Sequence, residues 1–368
     1  MLGLRKKGHA PDYVILFTLG FLVLFGLFML TSASSQQGLL QYDDSYFFLK
    51  KQIMTGVLFG LIGFAAGFYV PYQFYKRKWV SVVFLVLSIL LLLAVFTPLG
   101  LSAKGATRWL QIGGFSFQPS EFLKISLIMY LAIWLSSGKR RQESFRDGYL
   151  PFLLIVGFVA LLLVLQRSTS PVVILLSVSL IMYFMSGARL RYIGMTIGGA
   201  AVLLAILIAV TPYRLQRVMT FLHPEDDPQG SGWHIIQSKT AIGSGGFWGV
   251  GYGQSIMKQR VPEPIGDSIF AIVAEEFGFL GSSILISAFV VLVLRIFLLA
   301  RGMRDQFGQL LLIGFGSVIG IQAFINVGAM SGVLPLTGTP LPFISYGGTA
   351  LAIFMTMGGI VSNVSKYS

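Results

Sequence analysis

Stretches of about 20 mostly apolar residues, each long enough to cross a bilayer as a helix, recur along this chain almost from end to end. No other feature constrains the fold so strongly. Ten are readable, at 13–33, 52–71, 79–99, 119–136, 149–166, 171–187, 192–211, 268–298, 308–331 and 341–362. Hydrocarbon offers no water to the backbone, so such stretches must pair their own amides as helices. Only 11% of the 368 residues are charged, against about 25% in a soluble domain. The chain therefore reads as an all-α polytopic membrane protein with ten transmembrane helices, a single membrane domain over 1–368. The run after Arg5, Lys6 and Lys7 imitates a secretory leader, but it exceeds the short apolar core of a cleaved one and is expected to remain as the first span.

The net charge of +13 would suit nucleic acid if it were spread over a surface. Instead, more than half of the 27 Lys and Arg fall in short connections on one side: Arg5–Lys7, Lys76–Lys78, Lys139–Arg141 with Arg146, Arg189 and Arg191, Arg301 and Arg304, and Lys366. That side is cytoplasmic by the positive-inside rule, with both termini inside, so no nucleic-acid partner is expected. Cysteine is absent, which excludes thiol nucleophiles and thiolate metal sites. His9, His223 and His234 are too scattered for a zinc-hydrolase pair.

The opposite side carries two long polar segments, 100–118 and 212–267, the second lying between spans seven and eight. Connections that long are usually functional or disordered. Lys104 and Arg108 lead into Pro119, which can occupy the first turn of a helix, and Glu121 and Lys124 sit three apart on one helical face. Four ionisable groups near one helix end suit an anionic headgroup such as a pyrophosphate. A capped helix start and interfacial anchoring give the same pattern. Further on come Arg214, Arg217 and the run Glu225, Asp226, Asp227, which would take a divalent cation (Mg2+ or Mn2+) or simply be solvated. Residues 234–242 read as a short amphipathic helix with Gln237 and Lys239 on its polar side. The glycine-rich stretch 243–253 lacks the strand and helix of a nucleotide-binding unit, so nucleotide binding is rejected and no metal ligand set is assigned.

Asp267 follows Pro262 and Pro264 at the point where the polar segment turns into the eighth span. It would serve as a helix N-cap or as a general base. Glu275 and Glu276, further along that helix, are expected to point into the bundle and meet partners. The last outward connection, 332–348, holds Pro335, Pro340 and Pro342 and reads either as a re-entrant loop walling a cavity beside Asp267 or as a plain turn.

Taken in order, Gly105-Ala-Thr-Arg-Trp109, Gln118-Pro-Ser-Glu-Phe-Leu-Lys124, Asp227-Pro-Gln-Gly-Ser-Gly232, Ala241-Ile-Gly-Ser-Gly-Gly246, Asp267-Ser-Ile-Phe-Ala271, Asn326-Val-Gly328 and Leu341-Pro-Phe-Ile-Ser-Tyr-Gly-Gly348 resemble the SEDS family (FtsW, RodA and SpoVE). Gly251-Tyr-Gly-Gln-Ser255 with Lys258, and Thr337-Gly338, are most like the FtsW branch. The resemblance implies a peptidoglycan glycosyltransferase of the bacterial cytoplasmic membrane that polymerises lipid II on the outer face, for septal or elongation wall synthesis. It implies Asp267 as catalytic base, and Lys104, Arg108, Glu121, Lys124, Arg214, Arg217, Gln237, Lys239 and Ser345 as substrate-binding. The implied partners are a class B penicillin-binding protein (an FtsI-like transpeptidase) and other divisome or elongasome membrane proteins. The chain departs from the family at Gln166-Arg-Ser-Thr-Ser-Pro171, where Ser168 replaces a frequent aspartate, and at Ser268, which replaces a frequent phenylalanine. The alternatives are a lipid II flippase and a silent scaffold of a division complex. A flippase would need a polar path through the inner leaflet, where few ionisable residues lie.

Overall fold

The structure, a computed structural model, describes residues 9–103, 106–113, 115–138 and 142–368. Lys104, Lys139–Arg141 and Arg5–Lys7 lie outside the described residues. The chain is mostly helical. In order it forms α1 (Tyr13–Tyr42), α2 (Phe47–Tyr69), α3 (Lys78–Ala94), strands β1 (Gly100–Ala103), β2 (Ala106–Ile112) and β3 (Phe115–Phe117), α4 (Pro119–Leu135), α5 (Phe145–Leu165), α6 (Thr169–Met185), α7 (Leu190–Val210), α8 (Pro212–Leu222), α9 (Trp233–Ser244), α10 (Ile269–Gly302), α11 (Gln306–Met330) and α12 (Gly348–Val364). Among the described residues, seven helices are long and apolar enough to cross a membrane: α1, α2, α5, α7, α10, α11 and α12 with the turn that follows it. The shorter α3 and α6 are apolar as well.

The structure corrects the sequence reading in two places. The chain is not all-α, because 100–117 folds into a three-stranded antiparallel sheet in the order β1-β2-β3, pairing Gly100 with Leu110 and Leu110 with Phe117. Alternation in that segment is masked by its glycines, and among the residues there whose burial is described Leu110 alone is driven fully into the protein. The last helix begins at Gly348, not at 341, because Pro340 and Pro342 hold the preceding segment in a non-helical loop. Segment 212–267 is built from α8, α9 and short 3-10 turns.

Helices α11 and α12 are buried along most of their length, whereas α7 is almost wholly exposed. Exposed apolar side chains on α2, α3 and α7 (Leu61, Leu90, Leu203) cost nothing against lipid. Where helices must approach closely, glycine makes room. A Cβ on Gly67 of α2 would lie 2.7 Å from the Ile360 nitrogen, and one on Gly359 of α12 would lie 2.2 Å from the Phe64 carbonyl oxygen. The two backbones are thus in direct contact, the way small residues bind membrane helices together. At the opposite end from the sheet, His9 N–H donates to Lys366 O at 2.9 Å, and Asp12 both caps α1 and pairs with Arg295 at 2.7 Å. The first and last described segments therefore meet at one face.

Helix α10 is broken. Gly278 has φ 63° and ψ −160° inside it, which leaves backbone groups on both sides without intrahelical partners. The glycine-rich stretch supplies them. Val250 N–H donates to Glu275 O and Gly251 N–H to Glu276 O, both at 3.0 Å. In return Phe279 N–H donates to Gly246 O at 2.9 Å and Leu280 N–H to Phe247 O at 3.1 Å. Gly249 (φ 84°) and Gly245 lie so close to α10 that a Cβ on either would strike its carbonyls. The glycines once considered for phosphate binding are thus a backbone splice. Glu275 accepts from Ser255 Oγ and from the N–H groups of Ile256 and Met257, and Glu276 from Ser32 on α1.

Gly359→Ala is expected to cost about 1–3 kcal/mol by overpacking, read as a lowered Tm in detergent. Gly157→Ala, where nothing lies within 4 Å of the added carbon, should leave Tm unchanged. Equal melting of the two would overturn the contact between α2 and α12.

Candidate functional site

Asp267 lies two residues before the first residue of α10, in a strap that begins at Val261. Ser268, not Asp267, occupies the N-cap position. The Ser268 hydroxyl donates to Pro262 O at 2.7 Å and meets His234 Nε2 at 2.6 Å. A hydroxyl has one proton to give, so His234 must donate here, which fixes its proton on Nε2. Asp267 is thus not the N-cap of α10. It is half-buried and lines a cavity of about 260 Å³ with Gln216, Arg217, Thr220, His234 and Leu336. Its Oδ2 lies 3.7 Å from where a side chain would begin on Gly338 (φ 65°), so the proline-rich loop covers it closely.

A ladder of buried polar contacts holds that loop and the strap together. Asn326 Nδ2 donates to both Asp267 O and Thr339 O, each at 2.7 Å. One turn earlier on α11, Gln322 Nε2 donates to Pro340 O at 2.9 Å, and its Oε1 accepts from Lys124 Nζ at 2.7 Å. Lys124 also donates to both oxygens of Glu121, at 2.7 and 2.8 Å, and stands over the Phe354 ring. Lys124 is 1% exposed and Glu121 3%. An ammonium has three protons, and all three are directed at these oxygens. Ser345 Oγ donates to Gly266 O at 2.6 Å and accepts from Leu341 N, and Tyr346 N–H donates to Ile265 O at 2.8 Å. Glu121, Lys124 and Ser345 are thus brought to the base of the Asp267 cavity rather than onto its wall.

The remaining sequence candidates are more dispersed. Arg217 lines the cavity and donates to Leu336 O at 3.1 Å. Arg214 donates to Thr211 Oγ1 at the start of α8. Arg108, on β2, donates to the carbonyl of Arg167, while Ser170 Oγ donates to Thr337 O at 2.6 Å. The departing segment Gln166–Pro171 therefore bridges the sheet and the proline-rich loop, with Arg167 in the left-handed region (φ 55°). Lys239 lies across Gly332 at the start of that loop, and Gln237 is half-buried on α9. Neither lines the cavity. Among the described residues no three His, Asp or Glu converge on a metal position. Asp227 accepts from Ser231 N–H at 2.7 Å, which holds its carboxyl below the usual range and shapes the turn.

Sequence reasoning assigned no role to His234, Gln322 or Asn326. The last two were visible as amides four apart on an otherwise apolar helix, a spacing that puts them on one face.

The chain matches the family FTSW_RODA_SPOVE, described as cell cycle protein, over residues 12–368. It is 37% identical to Stage V sporulation protein E of Bacillus subtilis, covering 99% of this chain and 100% of that protein. It is 38% identical to the probable peptidoglycan glycosyltransferase FtsW of Geobacter sp. (strain M18), covering 98% of each. Its fold is similar to a chain of a solved structure described as "Structural coordination of polymerization and crosslinking by a peptidoglycan synthase complex", with a TM-score of 0.81, 25% identity and coverage of 97% and 98%. It is also similar to the rod shape determining protein RodA of Thermus thermophilus, with a TM-score of 0.71, 24% identity and 97% of each chain covered. With a match over nearly its whole length and relatives of this identity, the chain belongs to the FtsW/RodA/SpoVE family of membrane proteins.

Proposed function

We propose that this protein is a peptidoglycan glycosyltransferase that polymerises lipid II, the undecaprenyl-pyrophosphate-linked disaccharide-pentapeptide, on the outer face of the cytoplasmic membrane, in septal wall synthesis. The observation that carries this reading is a carboxylate, Asp267, half-buried in a cavity that it shares with Arg217 and His234. In this reading α3, α4 and α6 cross the membrane with the seven longer helices, giving ten spans in one domain. The joined ends at His9 and Lys366 then share the cytoplasmic face with the basic connections.

Asp267 takes the proton from the acceptor's sugar hydroxyl as that oxygen bonds to C1 of the donor. The bond from C1 to the phosphate oxygen breaks with inversion, and its electron pair leaves with the lipid pyrophosphate. The carboxyl then releases its proton to water. Base assistance of this kind contributes about 10²–10⁴-fold. Arg217, inside the cavity, meets the developing negative charge, with Arg214, Arg108 and Lys104 as further candidates for that role. Gln237 and Lys239 contact the substrate's more distant parts. Glu121, Lys124 and Ser345 act by holding the loop and strap in register, so that the carboxylate is fixed before substrate arrives. A single-span class B penicillin-binding protein would seat its helix in the lipid-facing groove of about 310 Å³ between α10 and α11, where Gly320 lies beneath Phe324 and Val293.

Asp267→Asn should fold normally and lose about 10²–10⁴-fold in rate, read as glycan ladders from fluorescent lipid II with purified protein and its partner. Normal ladders from that variant would remove Asp267 from the chemistry. No ladder from the native complex, with lipid II crossing liposome membranes, would favour a flippase.

The buried pair gives a second test. Lys124→Met alone leaves Glu121 as an uncompensated buried charge and should cost about 3–5 kcal/mol of stability. Adding Glu121→Gln should recover much of that, read as Tm. A double variant no more stable than the single would show that the pair is not coupled.

A further inference from the structure

The outer end of α1 carries a pattern that the reaction at Asp267 does not use. At about 1.5 Å per residue, its 30 residues span about 45 Å, more than the roughly 30 Å of hydrocarbon in a bilayer. The last turns therefore stand in the interface. There Ala33, Gln36, Gln37, Leu40 and Gln41 follow the spacing of a single helical face. This face is half-buried at Gln36 and Gln37 and exposed at Leu40 and Gln41. With Lys258, Gln259, Val261 and Pro264 it lines a groove of about 440 Å³, larger than the cavity at Asp267.

The groove and the Asp267 cavity share one wall. Val261 and Pro264 face the groove, while Asp267, three residues on, faces the cavity. The wall is stiff. It contains Pro262 and Pro264, holds Glu263 at φ 53°, and is tied to the proline-rich loop through Ile265 O and Gly266 O. A ligand crossing from one space to the other would meet a fixed edge.

The chemistry of the groove differs from that of the cavity. Four carboxamides, from Gln36, Gln37, Gln41 and Gln259, present donors and acceptors without charge. Of the side chains that anchor helix ends in the interface, Trp, Tyr, Lys and Arg, α1 ends on Tyr42, and the face that lines the groove carries amides instead. The lining's one cation, Lys258, donates to Gly253 O at 2.9 Å. A pyrophosphate would find little to neutralise it here. Uncharged amides beside the apolar side chains of Ala33, Leu40 and Val261 instead match hydroxyl and acetamido groups on sugar rings.

We propose that this groove binds the neutral saccharide chain of the growing glycan, beyond the bond made at Asp267. The inference rests on the glycosyltransferase reading. It gives the enzyme a hold on its product that is separate from the hold on the lipid pyrophosphate, so that chain length depends on residues away from the reacting atoms.

The test uses the full-length protein in detergent and tetra-N-acetylchitotetraose, an uncharged oligomer of N-acetylated sugars, as the probe. The native protein should bind the probe. The triple variant Gln36→Ala, Gln37→Ala, Gln41→Ala, whose side chains are half-buried or exposed, should keep its Tm and bind about tenfold or more weakly, as expected for the loss of two or three modest hydrogen bonds. Asp267→Asn should bind the probe as the native protein does, because the groove is a separate space. Glycan ladders from the triple variant should shift to shorter chains. Undiminished binding by the triple variant, or a ladder of native length, overturns the proposal while leaving the polymerase reading intact. A native protein that binds the probe but makes no glycan would instead overturn the polymerase reading and leave the groove as a carbohydrate site.

Discussion

Everything outside the regular spans of this protein depends on one requirement: a backbone amide or carbonyl near the hydrocarbon must find a partner within the protein. An unsatisfied group there costs several kcal/mol, and a functional site cannot be built from unbroken helices alone. The break at Gly278 and the non-helical loop before α12 both create such groups. The first is answered by the glycine-rich stretch, whose N–H and C=O groups complete the broken ladder of α10. The second is answered by side chains, with Asn326, Gln322 and Ser345 reaching the carbonyls of Thr339, Pro340 and Gly266. Asp267 is positioned because both repairs converge on the start of α10.

The second repair explains why a charged pair is kept where burial is expensive. Taking Glu121 and Lys124 out of water costs more than their attraction alone returns. Their geometry instead serves orientation. The ammonium selects Gln322 Oε1, which leaves the Gln322 NH2 to bond Pro340 O. Asn326 extends the same face by one turn to the Asp267 carbonyl. An apolar replacement of similar volume would fill the space, but it would not dictate which way these amides point. The price of the buried charge is thus exchanged for a single register of loop against strap.

Much of this was legible in the residues. Apolar runs marked the helices to within a few positions for α4, α5 and α6, because a span's ends are set by where lipid contact stops. Proline and glycine marked the loops, the ordered motifs singled out Asp267, and the cations of the long outer segment included Arg217. Other features were hidden for physical reasons. The strands at 100–117 carry no clean alternation, since their register is set by pairing and by Leu110 alone. The outer turns of α1 lie beyond its apolar run and read as a polar connection. Gln322, Asn326 and His234 gain meaning only from groups far along the chain, and no spacing rule exposes a partner 59 residues away. The glycines at 243–253 suggested a ligand, when their lack of side chains lets one backbone lie against another.

The splice at Gly278 also sets an order of events as the chain is made. Residues 246–251 are synthesised before 275–280, so the glycine stretch exists for a time with its amides answered by water alone. It becomes structure only when α10 enters the membrane and presents the broken ends that match it. Closure of the splice therefore waits on the insertion of α10, and the Asp267 strap waits longer still, until Asn326, Ser345 and Tyr346 follow to fasten it.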